Sequence, residues 1–70
     1  MKTLSELRNS YKPRSIHYTH GVEQASSETP MFIDMTFRTK SAADAALESI
    51  GPDAMYHQEL EGHVITLLNG

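Results

Sequence analysis

The chain has 70 residues, a formal charge of −3, a pI near 5.7, 39% hydrophobic residues and no cysteine. That length allows one domain spanning 1–70, and the missing cysteines exclude disulfides and thiolate-ligated zinc while fitting a reducing compartment. No apolar run approaches the ~20 residues that span a bilayer, and Met1-Lys2-Thr3-Leu4-Ser5-Glu6-Leu7 has an acid and no apolar core, unlike a secretory signal, so the expectation is a cytoplasmic protein without a membrane partner.

In chain order, Thr3 to Tyr11 reads as a short helix. Thr3-x-x-Glu6 fits a capping box, Leu4, Leu7 and Tyr11 share a face, and Pro13 ends the element. So few residues do not hold a helix alone, so residues 1–13 are expected to dock loosely on the sheet or to form against a partner. Arg14 to Val22 reads as a strand with Ile16, Tyr18 and His20 alternating against His17 and Thr19. Residues 23–30 are polar and are expected to form a mobile loop.

The strongest pattern lies over residues 31–50. Met31, Ile33, Met35 and Phe37 alternate with Asp34, Thr36 and Arg38, as in a half-buried strand. Ser41 and Asp44 then suggest an N-cap and an acidic first turn. Ala43, Ala46, Leu47 and Ile50 form a helical stripe, and Gly51-Pro52 stops it. Beyond it, Ala54 to Leu60 and His63 to Leu68 read as two strands joined by a hairpin at Glu61-Gly62. An unbroken strand with a glycine bulge is the alternative. The near-continuous run Val64-Ile65-Thr66-Leu67-Leu68 predicts a central or doubly covered strand.

The sum is an α+β fold of order α-β-β-α-β-β. It has a three- to four-stranded, mostly antiparallel sheet, the alanine-rich helix packed on one face and a short first helix. The crossover rule allows the last strand to pair parallel to the strand over 31–39. A core this small buries only about 60% of the unfolded surface, so a partner subunit, including a second copy as a homodimer, is among the expected sources of stability.

The charge is unevenly distributed along the chain. The first forty residues hold all six Lys and Arg against four acids, net +2, and the last thirty hold five acids and no Lys or Arg, net −5. Such a layout can orient a protein on a charged partner.

The chemistry-bearing residues point away from catalysis. His17 and His20 stand three apart, which on a strand places them on opposite faces. In the expected hairpin His57 lies about three positions from the partner of His63, out of reach of a shared ion. No metal site follows. Glycine-rich phosphate loops and nucleophile-elbow serines are missing, and His57 with Glu59 on one strand face is what an exposed strand also presents. The chain is therefore read as a non-enzyme with no catalytic residue and no cofactor.

Two binding readings remain. Arg8, Lys12 and Arg14 cluster with Tyr11 and Tyr18, a set of cations and rings suited to nucleic acid, against an overall negative charge. The nucleic-acid alternative rests on Arg8, Tyr11, Lys12 and Arg14. The leading reading is a protein-binding module whose partner is a larger protein or protein complex. Its contacts are assigned to Arg8, Lys12 and Arg14 on a basic side, Phe32 and Arg38 on the outer sheet face, and Glu59 and Glu61 on an acidic side. Phe32 is either an exposed anchor on that face or is covered by Leu4 and Leu7 of the first helix. Over residues 14–68 the order strand, strand, helix, strand in a cysteine-free chain is similar in outline to small phage-encoded proteins that inhibit a host enzyme or defence system. That resemblance implies an inhibitor or regulator of viral origin that works by occlusion.

Overall fold

The computed structural model describes residues 2–19 and 29–68. Along them run α1 (Leu4–Tyr11), β1 (Ser15–Thr19), β2 (Phe32–Phe37), α2 (Lys40–Ile50), β3 (Ala54–Glu59) and β4 (Gly62–Leu68). The four strands form one sheet in the order β1-β2-β4-β3, every neighbouring pair antiparallel, so the fold is α+β in the order the sequence predicts. The expected continuation of the first strand to His20 and Val22, and most of the loop over 23–30, lie outside the described residues.

The last strand does not pair parallel to β2. Phe32 stands opposite Leu68 and Phe37 opposite His63 in an antiparallel ladder. The crossover through α2 instead delivers β3 parallel to β2 one strand away, and a tight turn then sends β4 back into the gap between them. That turn is centred on Leu60-Glu61, not Glu61-Gly62, because Glu59 pairs with Gly62. Gly62 is the first residue of β4, at φ +146°.

The helix termini show how side chains take up exposed backbone donors. In α1 the Thr3 hydroxyl accepts from the Glu6 amide at 3.1 Å, as the Thr-x-x-Glu spacing predicts. In α2 the cap is Thr39, whose hydroxyl accepts from the Ala42 amide at 3.1 Å; the cap lies two residues ahead of the expected Ser41. The first turn consequently holds no acid, and Asp44 pairs with Lys40 at 3.0 Å. The Asp44 hydrogen bond and charge raise the Lys40 ammonium above its ordinary pKa of 10.5. The lysine therefore keeps its charge at neutral pH, and the stability its raised value contributes is lost in alkali as pH rises through that value.

Lys12 ends α1 in the left-handed region, φ 48° and ψ 55°, with its amide on the Arg8 carbonyl at 3.1 Å. A side chain there costs what glycine does not, so Lys12→Gly is expected to stabilise the fold by about 0.5–1 kcal/mol, raising the thermal midpoint.

Both helices cover the same sheet face. Leu4 and Leu7 of α1 join Ile33, Met35 and Phe37 of β2, Ala43 and Ala46 of α2, Ala54 of β3, and Ile65 and Leu67 of β4 in one buried cluster. Burial of a large side chain such as Ile33, Met35 or Ile65 contributes about 1.5–3 kcal/mol. The Tyr11 and Ser49 hydroxyls meet at 2.8 Å and tie α1 to α2. On the same face the Tyr56 hydroxyl meets His63 Nδ1 at 2.8 Å, and the Lys40 ammonium stands 5.5 Å from the Tyr56 ring centroid. Leu4 and Leu7 thus do not cover Phe32, which is 43% exposed. The sheet has one helical layer and one open face.

Candidate functional site

The open face carries every second residue of each strand. Cross-strand pairing aligns Thr19 with Phe32 and Leu68, His17 with Asp34, Thr66 and Met55, and Ser15 with Thr36, Val64 and His57. One end is apolar: Phe32 and Leu68 are direct partners, Met55 lies diagonal to Leu68, and Leu68 and Met55 are 47% and 63% exposed.

The middle of the face is a polar relay. Glu59 Oε1 meets His57 Nδ1 at 3.1 Å, and His57 Nε2 meets the Thr66 hydroxyl at 3.1 Å. Thr66 in turn donates to Asp34 Oδ1 at 2.5 Å. The threonine proton goes to Asp34, so His57 Nε2 is the donor to that hydroxyl. Carboxylate, imidazole and hydroxyl follow the sequence of a nucleophile triad, yet Thr66 Oγ1 is held as a donor to a carboxylate and not as a nucleophile facing a free base. Its neighbours' amides along the strand are spent in the ladder, unlike the free donors an oxyanion needs.

Beside the relay lies a groove of about 360 Å³ lined by His17, Asp34, Thr36, His57 and Val64, with Glu59, Leu60 and Glu61 at the hairpin end. Among the described residues no three His, Asp or Glu groups converge as metal ligands. His57 stands opposite Val64 and His63 opposite Gln58, so His57 is one position from the partner of His63, not the expected three, and the two histidines lie on opposite faces.

A second concavity, about 430 Å³, lies where α1 runs into β1 and β2 into α2. Tyr11, Lys12, Pro13 and Arg14 form one wall, and Phe37, Arg38, Thr39 and Ala42 the other. Arg14 is fixed from both ends of its residue. Its amide donates to the Thr36 carbonyl at 2.7 Å, and its guanidinium Nη1 donates to the Glu61 carbonyl at 3.0 Å. Residues from the basic and the acidic parts of the chain therefore meet at one end of the sheet.

The residues assigned from sequence to one partner surface divide between these places. Lys12, Arg14 and Arg38 share the cationic cleft; Glu59 and Glu61 line the open-face groove; Phe32 marks the apolar end of that face. Arg8 is exposed on α1 one turn before the cleft and does not line it. Tyr18 stands opposite Ile33 at the far end of β1, about 13 Å of strand from Arg14, so it leaves the cluster proposed for nucleic acid. The meeting of Asp34, His57 and Thr66 is not legible in the sequence, because it needs β4 paired antiparallel to β2 with Asp34 opposite Thr66. Comparisons with protein-family models, curated proteins and solved structures found no match.

Proposed function

We propose that this chain is a non-enzymatic protein-binding module whose contact surface is the open face of its sheet. The observation that carries this reading is that both helices lie on the other face, which leaves Phe32, Leu68 and Met55 as neighbouring exposed apolar side chains. Contiguous exposed apolar surface rimmed by polar groups is what partner-binding faces present, and an aromatic anchor carries much of the energy there. The hairpin end of the same face holds Glu59 and Glu61. The partner is thus a larger protein offering an apolar socket for Phe32 beside basic side chains. The order of elements fits an inhibitor or regulator that occludes its target, as small phage proteins do.

Affinity capture from the source cell with the wild type and Phe32→Asp in parallel tests this. Phe32 is 43% exposed, so the variant is expected to fold, which circular dichroism and the thermal midpoint check. The expected result is a protein held by the wild type and lost with Phe32→Asp, the affinity falling about 30-fold or more. An unchanged set of captured proteins would overturn the reading. A wild-type dimer by sedimentation that Phe32→Asp makes monomeric would replace the foreign partner by a second copy.

A further inference from the structure

We infer that the cleft between α1 and α2 binds a phosphate group carried by a nucleotide or a nucleic-acid strand. Lys12, Arg14 and Arg38 line the cleft with no acidic residue in either wall. Among the described residues, no carboxylate pairs with Lys12, Arg14 or Arg38, and the pairs of Lys40 with Asp44 and His57 with Glu59 do not involve them. The chain carries a net −3 and places five acids in its last thirty residues. A cleft bordered by three cationic residues and no acidic one is therefore locally of opposite sign to the molecule, and its complement is an anion.

The donor types favour phosphate over a single carboxylate. Guanidinium forks bind planar or tetrahedral oxyanions through paired N–H groups, and a lysine adds a point charge. Arg14 uses Nη1 on the Glu61 carbonyl, which leaves its other guanidinium donors for a ligand. The Tyr11 ring and Pro13 supply a flat, apolar wall for a base or sugar, and about 430 Å³ lies within the size range of small-molecule sites.

Lys12 adds an independent argument. It occupies a left-handed helix end where glycine is favoured. The cation at that position costs stability, as side chains in strained conformations at binding sites do. That conflict supplies a test that separates loss of binding from loss of folding.

The experiment is a titration of the ¹⁵N-labelled full chain with pyrophosphate, ADP, a single-stranded oligothymidylate and a glutamate-rich peptide. Pyrophosphate and ADP are expected to move the amides of Lys12, Arg14, Arg38, Thr39 and Ala42. Arg38→Glu, at an exposed position, is expected to weaken ADP about tenfold or more. Lys12→Gly is expected to weaken it severalfold while raising the thermal midpoint, an outcome that instability cannot produce. An oligothymidylate bound more tightly than ADP, with a log–log salt slope of about −2 for three neutralised phosphates, assigns the strand; equal affinity assigns the free nucleotide. The inference fails if pyrophosphate and ADP leave these amides unmoved at millimolar concentration. It also fails if Arg38→Glu binds ADP as the wild type does, or if the glutamate peptide matches ADP at the same amides. None of these outcomes depends on Phe32, so the cleft and the open face are tested separately.

Discussion

Gly62→Ala is expected to destabilise the fold by about 3 kcal/mol or more, lowering the thermal midpoint by roughly 15 °C. Two costs coincide at this residue. Its φ of +146° is open to glycine and strained for any side chain, and a Cβ there would stand 2.8 Å from the Phe37 carbonyl oxygen. The obstacle is backbone of the neighbouring central strand, so no rotamer relieves it. Relief would require β4 to draw away from β2 at the end of the sheet where Arg14 bridges to the Glu61 carbonyl. Gly51 is the internal comparison: at φ +93° it is also a glycine conformation, but nothing lies within 4 Å of the position a Cβ would take. Gly51→Ala is expected to cost less, on the order of 1–2 kcal/mol, the conformational part alone. Equal thermal losses for the two variants would show that the contact with Phe37 is not what demands glycine at 62.

The same hairpin marks the boundary of what is legible in this sequence. Elements set by local periodicity could be read directly: alternation from Ile33 to Phe37, the Ala43-Ala46-Leu47-Ile50 stripe, the stop at Gly51, and the Thr3–Glu6 cap. Features set by partners distant in sequence could not. Leucine is an unusual turn residue, so the local pattern favours Glu61-Gly62 for a turn that falls one residue earlier, on Leu60-Glu61. A turn one residue earlier shifts the β3–β4 pairing by two positions and leaves every side chain on its face. What hides the relay from His57 through Thr66 to Asp34 is therefore the antiparallel pairing of β4 with β2, which sets Asp34 opposite Thr66. The cap of α2 is a contest between Thr39 and Ser41, both competent hydroxyls, settled by where β2 ends and not by either residue's preference. The cationic cleft was half visible: Lys12 and Arg14 are near neighbours in sequence, while Arg38 reaches them only because β1 and β2 pair antiparallel with Ser15 opposite Thr36.

Leu7→Ala is expected to remove about 3 kcal/mol, and to remove it unevenly. Leu7 is fully buried against the core, and α1 has only eight residues, too few to persist without docking. Its remaining anchors are Leu4, the partly buried Tyr11, and the hydroxyl contact between Tyr11 and Ser49. The sheet does not need α1 for its ladder, because β1 is held to β2 from Ser15 to Thr19 and the Arg14 amide is bonded to the Thr36 carbonyl at 2.7 Å. The variant should therefore lose hydrogen-exchange protection at the amides of Leu7 and Tyr11 while Met35 and Ile65 keep slow exchange. Tyr11 and Lys12 form one wall of the cleft, so ADP affinity should fall with helix docking, whereas capture through Phe32 on the opposite face should survive. Uniform loss of protection across helix and sheet would instead make α1 part of one cooperative unit, with the cleft as stable as the core itself.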